Sequence, residues 1–238
     1  MIEKAKYIVK NTDFEQFNNL ITASQYLLLY KICSKYLSEG MTVLDWGLGG
    51  GHFSYFLQHE NIETHGYTLD ENPVFINYLS NVHVVIGTEP KSLPYADETF
   101  DIVFSIGVLE HVVETGGNVT DSLHEINRIL KNGGHFICYH SPNKYSWVEN
   151  YLRKFTHKYT NPVFIQSHSY LLNILKSTNF EIVVNKRYGI LPRNIFKTLP
   201  IIISNSMLIT KFYNNLDLLL NIFLNPIGQK QYFIAKKQ

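Results

Sequence analysis

The sequence predicts an α/β fold with a mainly parallel sheet, and three observations point there. Short apolar runs alternate with segments of helical periodicity through the first two thirds of the chain. The first complete run, TVLDWG from Thr42, opens directly into a glycine-rich turn. The 238 residues suffice for one large domain around a sheet, with no disulfide or metal staple needed.

The elements follow in order. Residues 1–40 form an N-terminal helical segment. Its run Ile21 to Leu37 puts Leu28, Ile32 and Tyr36 at helical spacing, and Gly40 ends it. TVLDWG is the first strand, residues 52–60 a helix, and ETHGYTLD from Glu63 the second strand. A short helix over 73–80 precedes the third strand, VHVVIG from Val82. The loop EPKSLPYADET leads into FDIVFSIG, the fourth. A helix from Val119 to Leu130 is stopped by Asn132-Gly133-Gly134, and HFICYH from His135 is the fifth strand. The rhythm then breaks. Residues 141–166 read as a polar, aromatic-rich connection on the substrate side. Ser167 to Phe180 is a helix running into the strand EIVVNKRYG. Residues 189–229 are a second insertion, mostly apolar helix, and KQYFIAKK closes the chain as a strand. No linker divides the chain, so residues 1–238 are expected to form a single domain carrying a helical cap.

Composition narrows the function classes. A formal net charge of +1 supplies no global field for a nucleic-acid backbone, so no nucleic-acid partner is expected. Aromatics at 14% against charged residues at 17% call for a greasy surface or pocket besides the core. Cys33 and Cys138 lack metal-ligand spacing and sit in apolar runs, as buried thiols do. With MIEKAKYIVK lacking a signal-type apolar run, a cytoplasmic chain is expected. No stretch reaches the apolar length of a membrane span. The uncharged run Thr198 to Thr210 and the run Leu218 to Phe223 suit peripheral contact with a membrane surface, or a homodimer face.

The sharpest local signal is VLDWGLGGGHF, Val43 to Phe53. Glycines after a strand let backbone approach a ligand and set a helix start beside it. A dinucleotide loop would carry glycine at the sixth position from Gly47, where His52 stands. Asp45 at the strand end suits a ligand bearing an ammonium or sulfonium better than a pyrophosphate. A plain tight turn is the bland alternative.

VLDWGLGGG resembles the first motif of the class I S-adenosylmethionine (SAM)-dependent methyltransferases, with Gly47, Gly49 and Gly51 on its glycines and Asp45 on its acidic position. LPYADETFDIVFSIGVLEHV, Leu93 to Val112, resembles the LPF…FD…LEH signature of the family's small-molecule group. HEINRILKNGGHF, His124 to Phe136, resembles a third motif, with Asn132 in place of the usual proline. The resemblance covers about residues 41–140. It implies a Rossmann-like seven-stranded sheet with the last strand antiparallel and the cap inserted before it. It implies SAM as cofactor, S-adenosylhomocysteine as product, and no metal. It implies that Asp45 orients the methionine amino group and that Ser105 and Leu109 lie on the cofactor side. The second strand, GYTLDEN, departs from the family pattern. Thr68 occupies the acidic register and Asp70 follows two residues later, the better-suited partner for ribose hydroxyls. Its GxTL pattern resembles the cyclopropane-fatty-acid synthases and relatives. Thr88 stands where the family often has an adenine-contacting aspartate, leaving Thr88 or Glu89 as substitutes.

Transfer to an unactivated hydroxyl needs a base within hydrogen-bond reach, and histidine suits that role near neutral pH. His111, His140 and His168 are the candidates; His52 reads as a cofactor neighbour. On the substrate side, Tyr145 and Trp147 can stack on a ring, Asn143 can give and accept hydrogen bonds, and Arg193 can meet a polar group. The run Arg153, Lys154, His157, Lys158 suits a phosphate, or simply a solvated helix face. The expected activity is O-methylation of a hydroxyl on a sugar, glycan precursor or other small metabolite, in the setting of polysaccharide biosynthesis. A quinone or lipid methyltransferase acting at carbon or oxygen is one alternative. A catalytically degenerate fold that binds a partner is another.

Overall fold

The computed structural model describes residues 2–71, 73, 76–155 and 167–238, except the side chain of His168. Three helices open the chain: α1 (Ile2–Asn11), α2 (Leu20–Ala23) and α3 (Leu27–Tyr36). Then come β1 (Thr42–Trp46), α4 (His52–Leu57), β2 (Glu63–Thr68), β3 (Val82–Ile86) and β4 (Phe100–Ile106). They are followed by α5 (Val119–Ile129), β5 (Leu130–Pro142), α6 (Trp147–Phe155), α7 (His168–Ser177) and β6 (Phe180–Tyr188). The cap contributes α8 (Ile201–Ser204) and α9 (Met207–Leu224), and β7 (Lys230–Lys237) ends the chain.

The seven strands form one sheet in the order β3-β2-β1-β4-β5-β7-β6, with β7 antiparallel to both neighbours. Strand alternation divides the core between the two faces. Val43, Ile102, Phe104, Ile137 and Ile234 pack under the N-terminal helices and α4. Leu44, Val103, Phe136, Cys138 and Ala235 pack under α5 and α7. Both cysteines are buried and free. The chain leaves β1 toward β2 on one side and later returns through β4 on the other. The crevice between the carboxyl ends of β1 and β4 is therefore the topological switch point where such sheets bind ligands.

Four boundaries differ from the sequence expectation. The helix from Val119 ends at Ile129, because buried Leu130 turns extended and already pairs with Phe100, so β5 starts five residues before His135. The helix expected over 52–60 stops at Leu57. Within 73–80 the described residues hold one tight turn, Ile76–Tyr78. The 141–166 connection contains α6; its remainder, including His157 and Lys158, lies outside the described residues.

The cap is fastened to the N-terminal helices. The Arg193 guanidinium donates to the Ile21 carbonyl, Ser24 Oγ and Asn214 Oδ1 and lies 3.3 Å from Asp217 Oδ2. Asp217 Oδ1 in turn accepts from the Ile190 and Leu191 amides. Leu20 donates its amide to Asn205. Among the described residues no helix is long and apolar enough to cross a membrane.

Candidate functional site

The glycine loop is folded tightly at the end of β1. The amides of Gly47 and Leu48 both donate to the Tyr67 carbonyl, at 2.9 and 2.8 Å. Gly47, Gly49 and Gly51 have φ of +80°, +50° and +76°, a region that favours glycine. Gly47 has a second constraint: a β-carbon there would overlap Val108, next to β4. Gly47→Ala is therefore expected to lower stability by about 3 kcal/mol, from left-handed strain plus overpacking, read as a lower thermal midpoint. Gly49 faces open space, with a β-carbon meeting only the Gly47 carbonyl at 3.8 Å.

Two cavities meet at this loop. The larger, about 910 Å³, runs from Asp45, Gly47 and Gly49 past Tyr26, Glu110 and His140 to the cap residues Arg193, Asn214 and Asp217. The smaller, about 250 Å³, is walled by Trp46, Tyr67, Thr68, Leu69, Asp70, Pro90 and Val108. Gly47, Gly49, Gly107 and His111 line both.

Asp45 is buried on the wall of the larger cavity, and Ser54 Oγ donates to it at 2.7 Å. Burial pushes its carboxyl up to about 6, against the Ser54 hydrogen bonds. A desolvated carboxylate next to open cavity is poised for a cationic partner. Asp70 and Thr68 frame the smaller cavity, and the Asp70 amide donates to Thr68 Oγ1 at 3.1 Å. The donor set thus fits SAM: a carboxylate for the ammonium, bare loop backbone, and a polar strand end beside a mainly apolar slot for the nucleoside.

His140 lies near the end of β5 on the wall of the larger cavity, with a tyrosine hydroxyl to orient its ring. Its Nδ1 lies 3.0 Å from the Tyr188 hydroxyl, and its ring stacks on Tyr26 at 5.7 Å. Tyr139 donates its proton to the Gln25 carbonyl at 2.8 Å, so the hydroxyl bond between the two tyrosines takes its proton from Tyr188. With the Tyr188 proton directed to Tyr139, Nδ1–H of His140 donates to Tyr188 and Nε2 is the basic nitrogen. Burial, with the cations of Lys230 and Arg193, holds the imidazole well below its ordinary value, hence neutral. The backbone at His140 has φ +71°, an uncommon conformation for a side-chain-bearing residue.

The other expected site residues divide clearly. His111 sits half-exposed at the rim, with Nδ1 2.9 Å from Glu114. Arg193 lines the cavity with its guanidinium committed to the bonds above. Ser105 and Leu109 are buried behind the walls of both cavities. Thr88 is exposed and Glu89 approaches Lys91, while their neighbour Pro90 forms the wall. Asn143 lies away from the cavities, where its amide clamps the Pro226 and Gly228 carbonyls. Trp147 bonds the Ile190 carbonyl, and Tyr145 is exposed outside both cavities. The side chain of His168, at the start of α7, lies outside the described residues.

Sequence reasoning took Glu110 only as part of the LEH element and gave it no role; it is buried with an unpartnered Oε2, its carboxyl pushed up by burial. It also missed Tyr26, Tyr139 and Tyr188. No motif marks them; strand pairing and the N-terminal helices bring them together. Nor did spacing reveal Glu63, His65 and His83, whose ligand-type atoms fall within 4.8 Å of one another at the far end of β2 and β3. That group is remote from the glycine loop.

Comparison with known proteins agrees with this geometry. A family described as "Methyltransferase domain" matches residues 44–138. An uncharacterized protein of Methanocaldococcus jannaschii is 28% identical over 89% of this chain and 84% of its own. A demethylmenaquinone methyltransferase of Staphylococcus haemolyticus is 27% identical over 65% of this chain and 66% of its own. Among solved structures, a SAM-dependent methyltransferase of Thermotoga maritima superposes with a TM-score of 0.61 at 21% identity, covering 92% of each chain.

Proposed function

We propose that this chain, which has the fold of the class I SAM-dependent methyltransferases and matches a methyltransferase domain over residues 44–138, methylates a hydroxyl oxygen on a ring-bearing acceptor of the sugar or glycan-precursor class. The observation that carries this reading is His140 on the cavity wall with its Nδ1 3.0 Å from the Tyr188 hydroxyl; donation from Nδ1–H to Tyr188 puts the lone pair on Nε2. A thiolate or carbanion acceptor, already without its proton, has less need of such a base.

When bound, SAM supplies an electrophilic methyl on a sulfonium sulfur that departs as a neutral thioether. The chain's own residues do the rest. Asp45 holds the ammonium and Asp70 the ribose hydroxyls. Tyr26, stacked on Phe17 and His140, holds the His140 ring at the cavity wall, while Asn214 and Asp217 line the polar end of the cavity. His140 takes the hydroxyl proton at Nε2 as the oxygen–carbon bond forms. Tyr188 accepts from Nδ1–H and steadies the resulting imidazolium.

A second reading, a quinone or lipid acceptor, is favoured by the apolar cap and by the similarity to the demethylmenaquinone enzyme. The two are separated by following release of S-adenosylhomocysteine with hydroxyl acceptors and with the same compounds already O-methylated. Turnover on the free hydroxyls alone is expected. Equal turnover on both sets, with methylation at carbon, would replace the first reading by the second.

A further inference from the structure

Helix α9 is built inside out. A helix on a water-soluble domain turns its apolar stripe inward and its polar stripe to water. Here Thr210 and Asp217 are buried, and Asn214, Asp217 and Asn221 face the large cavity. Leu208, Phe212, Leu219, Ile222 and Phe223 are exposed along the opposite side, between 54% and 80%, and Ile202 of α8 beside them is 87% exposed. So extended an apolar surface needs a partner.

Charge identifies which. Across residues 193–229 the basic residues are Arg193, Lys197 and Lys211, and the single acid is Asp217, which is buried and lies against Arg193. Lys197 has only a distant carboxylate, Glu15 at 3.9 Å. Helix α6 lines the same cavity through Val148, Glu149 and Leu152 and adds exposed Tyr151 and Phe155 with Arg153 and Lys154, one net positive charge. An apolar face edged by cations and lacking exposed acid on the cap would set like charges together against a second copy. It matches an anionic lipid surface.

We propose that the outward face of α8 and α9 seats on an anionic bilayer, so that the cavity mouth between α6 and α9 takes a membrane-anchored amphiphile whose polar head carries the hydroxyl. The acceptor class rests on the functional reading above; the docking does not. The protein lies on the surface, with the polar stripe of α9 walling the head-group chamber and its apolar stripe among acyl chains.

The test is sedimentation of the full chain with vesicles of equal parts phosphatidylglycerol and phosphatidylcholine, and with phosphatidylcholine alone, without acceptor. Wild type is expected to bind the anionic vesicles. Phe212→Glu with Phe223→Glu should lower partition at least about tenfold, on the scale of burying an aromatic side chain. Lys197→Ala and Lys211→Ala should each cost roughly fivefold on anionic vesicles. SAM affinity should be unchanged in all variants, so docking and cofactor binding fail separately. No partition of wild type onto anionic vesicles would overturn the proposal. So would concentration-dependent self-association abolished by the same glutamates, which would make the face an interface between copies.

Discussion

Asp45→Asn is expected to separate stability from function in opposite directions. In the cofactor-free chain the Asp45 carboxyl is raised from 3.8 to about 6 by burial. A raised folded value favours the neutral acid. Its stabilising contribution is complete below the ordinary carboxylate value and is lost as pH rises through about 6. At neutral pH the buried anion therefore costs on the order of 3 kcal/mol, which a neutral amide of the same shape avoids. The thermal midpoint of the cofactor-free Asn variant should be equal to or above wild type. SAM affinity should fall roughly a hundredfold or more, because the cofactor's ammonium loses a desolvated ionic partner. In wild type, affinity should weaken by about tenfold per pH unit below about 6, as the carboxyl must first lose its proton. Calorimetric titration across pH reads both effects. A variant that binds SAM as tightly as wild type would remove Asp45 from the cofactor site.

His140→Asn should abolish transfer while sparing cofactor binding. Asparagine tolerates the left-handed backbone found at His140, so the strand end keeps its shape. Loss of a general base costs about a hundredfold to ten-thousandfold in turnover, with SAM affinity unchanged. Tyr188→Phe tests the relay separately. It leaves the imidazole in place but removes the acceptor that fixes its tautomer, 3.0 Å from Nδ1. A fall in kcat of about tenfold or more with little change in KM is expected, and it should persist toward alkaline pH because the imidazole is already neutral. If His111→Gln impairs turnover more than His140→Asn does, the base is at the rim, where Glu114 orients His111.

The parts legible in the sequence were those encoded locally. The glycine turn, Asp45 at the end of β1 and the order of the strands each follow from a few neighbouring residues, while the helix expected over 73–80 reduces to one turn among its described residues. Asp70 lines the smaller cavity, at a strand end set by the register of β2 against β1. What stayed hidden was encoded across strands. His140 on β5 and Tyr188 on β6 meet over the start of β7, whose pairings set Ser141 against Gln231 and Tyr188 against Lys230. No spacing announces such a meeting. Asn143 and Trp147 had the chemistry of substrate contacts, yet their polar atoms are drawn to the cap's backbone carbonyls, because buried carbonyls need donors. Helix α9 was legible as apolar, but a hydrophobic pattern does not state its direction. Only the placement of Asp217 under the cap showed that the greasy side faces out.

The most direct test is to follow isotope from methyl-labelled SAM into the lipid and water-soluble fractions of a cell extract, with wild type and His140→Asn in parallel. Expected is label in an alkali-stable methyl ether, in an amphiphilic product, made by wild type and lost in the variant. Label on carbon or nitrogen, or an ether formed equally by the variant, would contradict base-assisted transfer to a hydroxyl at this site.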